Sequence, residues 1–175
     1  MTSLLSGRPE SHLSVDGWVV DAMAGDAGLA GISRSGHDLH IRIGDRHPRG
    51  DGTSAAGARH LRSVLVADLF PDGTVQLVTR CSPPALLVSV HGAVLLPGDG
   101  SVSGGGVLAP DDLLVMCSAS TLEAHPAGVV DLLKAGSDVV RRDTERLVQD
   151  LVRGRRGGAA AVVRRLPVGD GVLRS

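Results

Sequence analysis

The stretch LLVMCSASTLEA, residues 113–124, decides which fold this chain can adopt. The residues from Asp111 to Ser118 form an almost uninterrupted apolar run, which predicts a fully buried strand. Two small residues, Ala119 and Ser120, follow at the point where the strand ends. An alanine methyl group has no lone pair for a hard divalent cation, so this strand end supplies no metal ligand from position 119.

Strand patterns and turn signals alternate over the residues that precede this stretch. The predicted strands are Ser14–Ala24, Leu29–Ser33, His37–Ile43, Ser63–Phe70, Thr74–Thr79, Ala85–Val90 and Ala93–Leu96. Residues 71–73, Pro-Asp-Gly, separate two of these runs and predict a hairpin. A short helix is predicted over Ser54–Arg62, and the glycine-rich residues Gly98–Gly106 predict a loop.

The last third of the chain changes its periodicity. Apolar residues recur at helical spacing in Pro126–Gly136 and Asp143–Val152, and Ala159–Val163 predicts one more buried strand. Strands followed by helices and a final strand indicate an α+β fold in which helices pack on sheet faces. With 175 residues we expect one domain over residues 13–166, a flexible lead-in at 1–12 and a tail at 167–175.

The composition excludes several classes of protein. Only 1% of the residues are aromatic and the formal net charge is −1, which argues against single-stranded or duplex nucleic acid as a partner. No apolar run reaches the length of a membrane span or a signal peptide, so we expect a cytoplasmic protein. Lys134 is the sole lysine, a bias typical of a high-GC, actinobacterial genome. Cys81 and Cys117 are expected to be reduced thiols in the core.

Residues 113–124 resemble the run LLVLCSDGLTEA, which is found in PPM-type metal-dependent protein phosphatases of the bacterial SpoIIE-like branch. In that family the aspartate of this run binds a two-metal centre. The resemblance therefore implies that Ala119 occupies a ligand position and that Ser120 replaces the glycine after it.

Further motifs of the same family match in order along the chain. Residues 15–18, Val-Asp-Gly-Trp, resemble GGDWYD and place Gly17 at a ligand position, with Asp16 displaced by one. Ile43-Gly44-Asp45 resembles the start of GDVSGHG, so the resemblance implies that Asp45 is a retained ligand. Residues 75–88, VQLVTRCSPPALLV, resemble the run LELVNCGHPPPLLV, which the family forms into a central hairpin.

The last family motif, DDITLLVVR, has its counterpart in the run that begins at Arg156 and Gly157. Three of the four aspartate positions, Gly17, Ala119 and Arg156-Gly157, would then hold no ligand. Arginine at the last of them would oppose metal binding by its charge. The resemblance implies an α+β fold, a PPM phosphatase-like β-sandwich flanked by helices. Its helical layer would be reduced, because one helix of the family is missing before Ser63.

A catalytically inactive phosphatase-fold protein that works by binding is the function this pattern favours. By resemblance its protein partner would be an anti-sigma antagonist, a kinase or a sigma regulator, and no cofactor would be needed. One alternative is a divergent serine/threonine phosphatase that holds Mn²⁺ or Mg²⁺ with Asp16, Asp45 and Asp111 or Asp112. Another is a structural module that forms homo-oligomers through the surface left open by the missing helix.

Three other groups of residues were weighed as sites and interpreted as ordinary surface or structural features. The group His37, His40, Asp45 and His47 has metal-ligand chemistry, but its strand histidines face opposite sides. Neither Ser118 nor Ser120 has a histidine base at a fixed spacing. The arginine-rich residues 153–158 are expected to form a solvated loop.

Overall fold

The computed structural model describes residues 11–25, 28–46, 61–98, 100–124, 143–152 and 158–167. Within these ranges the chain forms two stacked antiparallel sheets and two helices. The strands are Ser11–Val15 (β1), Trp18–Ala24 (β2), Gly28–Ser35 (β3), Asp38–Arg46 (β4), Leu61–Leu69 (β5), Thr74–Arg80 (β6), Ala85–Ser89 (β7), Gly92–Leu96 (β8), Ser103–Val107 (β9), Leu113–Cys117 (β10) and Ala159–Arg165 (β11). The helices are Ala119–Ala124 (α1) and Thr144–Val152 (α2).

The strand order of the two sheets explains how distant segments meet. Sheet A has the order β1-β2-β11-β10-β7-β8, and sheet B has the order β3-β4-β5-β6-β9. All the described pairs are antiparallel, so the connections between neighbouring strands can be short hairpins. The predicted α+β sandwich with few helices is therefore confirmed. Strand β10, the stretch that opens the sequence argument, lies in the middle of sheet A, and all five of its residues are buried.

An aliphatic core fills the space between the sheets. Alternation along β5 places Ser63, Leu65, Ala67 and Leu69 inward, and each is buried. The largest fully buried side chains of this core are Trp18, Leu39, Ile41, Ile43, Leu65, Leu69, Leu77, Leu108, Leu114 and Met116. Trp18 is the one aromatic residue among them, so the packing of the core depends on branched aliphatic shapes.

A second core lies between sheet A and α2. Leu147, Val148 and Leu151 recur at helical spacing on one side of α2, and they pack against Ala160 and Val162 of β11. The alanines of β11 leave room for the helix to approach the sheet closely. Sheet A is therefore buried on both faces near its centre.

The predicted strand Ser14–Ala24 is in fact two strands joined by a tight turn. Asp16 and Gly17 have φ values of 48° and 82°, so the chain reverses there and β1 pairs with β2. An Asp-Gly pair between apolar runs is a strong hairpin signal, and the tryptophan after it masked that signal in our interpretation. The first described strand begins at Ser11, before the expected start of the domain at residue 13.

Three further differences have physical reasons. Residues 98–106 contain most of β9, whose three glycines have no side chains that could indicate a strand, although it pairs with β6. The stretch 75–88 is not a hairpin, because β6 belongs to sheet B and β7 to sheet A. Helix α1 was not predicted. Leu61 and Arg62 begin β5 and do not end a helix, while the rest of the helix predicted at 54–62 and the helix at 126–136 lie outside the described residues.

A glycine-to-alanine substitution in β4 tests how closely the backbones of β4 and β5 approach. A Cβ atom added at Gly44 would overlap the carbonyl oxygen of Ser63, whereas one added at Gly31 of β3 would meet open space. We expect Gly44→Ala to lower the free energy of unfolding by about 1–3 kcal/mol. The Gly31→Ala control should change it by less than about 0.5 kcal/mol. Equal urea midpoints for the two variants would contradict the register of β4 and β5.

The two cysteines provide a second test, and one of them corrects the sequence interpretation. Cys81 is exposed, at a φ of 50° after β6, so it is not a core thiol. Cys117 is buried, and burial raises its pKa to about 12. Its thiol therefore stays protonated and unreactive at neutral pH. We expect a thiol reagent at pH 8 to label Cys81 alone in the folded protein and both cysteines in urea, as read by mass spectrometry.

Candidate functional site

Asp45 lies at the end of β4 and is the charged residue at the centre of the candidate site. Its register with β5 shifts between Asp45 and Arg46, and the side chain is turned into the space between the sheets. Only 5% of the residue is exposed. A carboxylate at this depth needs several hydrogen-bond donors to replace the water it loses.

Two serines supply those donors. The Ser63 hydroxyl donates to Asp45 Oδ2 at 3.0 Å, and the Ser120 backbone N–H donates to the same oxygen at 3.0 Å. The Ser120 hydroxyl donates to Asp45 Oδ1. Both carboxylate oxygens therefore accept hydrogen bonds from within the protein. Hydrogen bonds to a charged acceptor are stronger than those between neutral groups.

The turn from β10 into α1 places Ser120 at this position. The first N–H groups of a helix have no partner within the helix, and Asp45 accepts one of them. The same turn is tied to β11, because Ser118 Oγ accepts from the backbone N–H of Ala159 at 3.1 Å. Thr121 Oγ1 donates to the carbonyl of Ala159 at 3.2 Å. One end of the sandwich is thus joined by a continuous polar network.

We call this network the Asp45 cluster; its members are Asp45, Ser63, Ser118, Ser120, Thr121 and the backbone of Ala159. It connects β4 and β5 of sheet B to α1 and to the start of β11, a central strand of sheet A. The serines that we had considered as nucleophiles are part of it. Their hydroxyls therefore hold the strand ends together.

The structure brings Ala119 to Asp45 and separates Asp16 from it. Ala119 directly precedes Ser120, so the degenerate position implied by the resemblance borders the carboxylate. Asp16 lies at the opposite end, where Arg34 Nη2 donates to it at 2.5 Å and His37 Nδ1 lies 3.5 Å away. The start of β4 lies at that end. It is seven residues from Asp45, which is about 23 Å along the strand at roughly 3.3 Å per residue. Asp16 and Asp45 therefore do not share a metal ion.

The same geometry places Gly17 far from the candidate site. Its carbonyl accepts from Leu166 N–H at the end of the sandwich remote from Asp45. In contrast, Gly28 at the start of β3 is the register partner of Asp45. The residue opposite Asp45 on the neighbouring strand is therefore Gly28, and residues 15–18 do not approach Asp45. Asp26, which precedes Gly28 by two positions in the sequence, lies outside the described residues.

The other proposed ligands do not complete a metal centre among the described residues. Asp111 donates its backbone N–H to the carbonyl of Arg165, and Asp112 accepts from Ala109, both at the start of β10 and remote from Asp45. No group of three or more histidine, cysteine, aspartate or glutamate side chains that could hold a metal occurs in the described ranges. A two-metal centre needs several carboxylates, so the described residues do not fit one.

Some of the remaining predicted residues lie on the surface, and the others lie outside the described residues. His40 Nδ1 lies 2.6 Å from Asp68 Oδ1 on sheet B, so it does not meet Asp45. His47, Arg156 and Gly157 lie outside the described residues. No helix in the described part of the chain is long and apolar enough to cross a membrane.

Sequence reasoning missed a second buried carboxylate, Asp21. Only 3% of it is exposed, in β2 beneath α2, where the Thr144 hydroxyl donates to it and His12 Nδ1 lies 2.6 Å away. The sequence did contain a signal for Asp21, because it is a charged residue within the apolar run that follows Trp18. This group joins β1 and β2 to the start of α2.

Removal of the Ser120 hydroxyl tests the Asp45 cluster. We expect Ser120→Ala to lower the free energy of unfolding by about 1.5–3 kcal/mol, because a buried charged acceptor loses a donor. Ser103→Ala, on an exposed position of edge strand β9, should change it by less than about 0.5 kcal/mol. Chemical unfolding of both variants measures the difference. If both lose the same amount, Ser120 does not stabilise the carboxylate.

Solved structures with a similar fold are known. The RsbU and RsbW domains of Rv1364c from Mycobacterium tuberculosis match over 86% of this chain and 60% of theirs, with a TM-score of 0.64 and 16% identity. The phosphatase domain of SpoIIE from Bacillus subtilis matches over 91% of this chain and 97% of its own, with a TM-score of 0.62 and 13% identity. RsbX in complex with magnesium matches over 90% of this chain and 99% of its own, with a TM-score of 0.61 and 8% identity.

The sequence itself matches no protein-family model and no curated protein. The likeness therefore rests on the arrangement of the strands and not on shared residues. This chain spans 60% of the two-domain mycobacterial structure. At these identities the comparison establishes the fold, and the chain has the PPM, or PP2C, phosphatase fold of the SpoIIE, RsbU and RsbX type.

Proposed function

We propose that this protein is a catalytically inactive member of the phosphatase fold that regulates other proteins by binding them. The observation that carries the proposal is the Asp45 cluster. Both oxygens of Asp45 accept hydrogen bonds from serines, and Ala119 directly precedes one of these serines in the sequence. In the family, by resemblance, position 119 supplies a second carboxylate. Here position 119 holds alanine, and the hydroxyl of the following Ser120 donates to Asp45.

Electrostatics supports the proposal that the protein is catalytically inactive. Two divalent cations bring four positive charges together, and hard cations of this kind are held by several anionic oxygens. Asp45 is the one carboxylate of the cluster, and a single carboxylate does not offset the charge of two divalent cations. Arg156, by its match in the sequence, would add a further positive charge.

The kind of partner follows from the fold's relatives and remains part of the proposal. One similar structure joins an RsbU domain to an RsbW domain in one protein, and another, with a TM-score of 0.56 and 14% identity, was described for the bacterial stressosome. We propose a cytoplasmic partner from a partner-switching circuit, namely an anti-sigma antagonist, a kinase or a sigma regulator. No metal cofactor is needed for this activity.

A divergent metal-dependent serine/threonine phosphatase is the second candidate. Two observations favour it: Asp45 is present at the end of β4, and a similar structure, RsbX, was solved with magnesium. Its site would need Asp45 together with residues outside the described ranges, such as Asp26. Mn²⁺ or Mg²⁺ would then be the resident ion.

Titration of the protein with Mn²⁺ and Mg²⁺, paired with a phosphopeptide hydrolysis assay, separates the two candidates. We expect a dissociation constant weaker than about 1 mM, the weak end of protein sites for such cations, and no turnover. Turnover that needs Mn²⁺ and is lost in Asp45→Ala and Asp26→Ala would establish the phosphatase and contradict our proposal.

A gain-of-binding variant tests whether position 119 faces the carboxylate. We expect Ala119→Asp combined with Ser120→Gly to bind Mn²⁺ at least tenfold more tightly than the natural sequence, because it places a second carboxylate beside Asp45. The matched control, Ala119→Asn with Ser120→Gly, has the same shape without the charge and should show no gain. Calorimetry of both variants measures the difference. An equal response of the two would mean that position 119 does not face Asp45.

A further inference from the structure

The outer face of sheet B, the face turned away from sheet A, differs from the outer face of sheet A. Helix α2 covers sheet A, whereas no helix in the described part of the chain packs over β6 and β9 of sheet B. A shallow groove of about 580 Å³ runs along these two strands. Val78 and Val107, which line it, are 52% and 64% exposed. The groove, with an exposed valine at each end on an uncovered sheet face, is therefore a candidate binding surface.

The strand register shows what borders the groove. Val66 of β5 is paired with Val78, and Arg42 of β4 is paired with Val66, so the three side chains form one row on the outer face. Arg80 follows Val78 on the same face of β6. Arg62 lies on the outward side of β5. The three arginines therefore lie toward the Val78 end of the groove, and Val107, which is paired with Thr74, lies at the other end.

These arginines carry charge that the described structure does not use. Arg42, Arg62 and Arg80 are exposed, and none of them takes part in a salt bridge in the described ranges. Of the acidic residues near the groove, Asp68 pairs with His40 at 2.6 Å, and Asp72 accepts from the backbone N–H of Thr74 at the Val107 end. The surface is thus apolar in the middle and positive at one side. We refer to it as the valine–arginine face.

A second copy of this chain does not fit the valine–arginine face. Twofold pairing through one surface brings the same patch of both subunits together, so arginines would meet arginines. A nucleic acid does not fit either, because exposed valines offer nothing to phosphates and the net charge of −1 gives no general attraction for a polyanion. The remaining match is a protein segment that has aliphatic residues and acidic ones.

We propose that the valine–arginine face binds an acidic amphipathic helix of a partner protein. The aliphatic side of the helix covers Val78 and Val107, and its carboxylates pair with Arg42 and Arg80. A helix is about 10 Å across, which matches two to three strands at roughly 4.8 Å spacing. This inference rests on the proposed role as a binding protein and names the surface and the chemistry of the partner.

Two synthetic peptides of about 18 residues test the proposal. Both form amphipathic helices with leucines on the apolar face. The polar face of one carries glutamates, and the polar face of the other carries lysines at the same positions. Fluorescence anisotropy with the full chain should show at least tenfold tighter binding of the glutamate peptide, with an affinity that falls as salt rises. Hydrogen exchange should show protection of β6 and β9 by that peptide.

Variants locate the binding. Arg42→Glu with Arg80→Glu should reverse the preference, so that the lysine peptide binds more tightly, and Val78→Asp should weaken the glutamate peptide at least tenfold. Arg146→Glu, an exposed arginine of α2 on the other side of the molecule, should change its affinity by less than twofold. Unfolding midpoints verify that each variant is folded.

Several outcomes would overturn the inference. These are equal binding of the two peptides, absence of binding, protection elsewhere on the chain, or a preference that Arg42→Glu with Arg80→Glu leaves unchanged. Dimerisation in light scattering that Val78→Asp abolishes would assign the face to a second copy instead. The phosphopeptide assay is independent: turnover together with glutamate-peptide binding would refute the inactive reading and leave the docking face standing.

Discussion

The buried carboxylate of Asp45 is the constraint on which this end of the molecule depends. A charged side chain that is only 5% exposed needs hydrogen-bond donors around it. Ser63 of β5 and Ser120 of α1 provide these donors. Their convergence joins β4, β5 and the start of α1. The link continues through Ser118 and Thr121 to β11. The two sheets are therefore held together at this end by polar contacts, and over the rest of their length by aliphatic packing.

The hydrogen bonds of the Asp45 cluster stabilise the end of the sandwich at which they lie. Both oxygens of Asp45 accept hydrogen bonds from the protein, as metal-ligating carboxylates also do, so the number of carboxylates around Asp45 decides whether cations bind there. The fold is the one found in SpoIIE, RsbU and RsbX structures. Fold alone does not determine activity, because activity lies in the site that the fold carries. In the site proposed here, the cluster supports the shape of a binding protein.

The two outer faces of the sandwich differ in what covers them. On sheet A, Leu147 and Leu151 of α2 pack against Ala160 and Val162 of β11, so that face belongs to the core. On sheet B, Val78 and Val107 remain exposed beside arginines that have no described salt bridge. The surface available for recognition is thus separate from the Asp45 cluster. A change at one can leave the other intact.

The sequence by itself determined the class of fold, and its resemblance to the SpoIIE-like branch predicts that Ala119 stands at a ligand position. The apolar run of β10, the alternation in β5 and the helical spacing in α2 depend on local periodicity, which a sequence displays directly. Ala119 was identified by its place after that run. The tertiary structure decided which residues meet: Asp16 and Gly17 lie in a turn at the far end, and Ser120 reaches Asp45, 75 positions away. The register of the strands and their order in each sheet determine such contacts, and local sequence patterns do not reveal either of them. Glycine-rich β9 was missed for the same reason, since pairing with β6, and not its own side chains, makes it a strand.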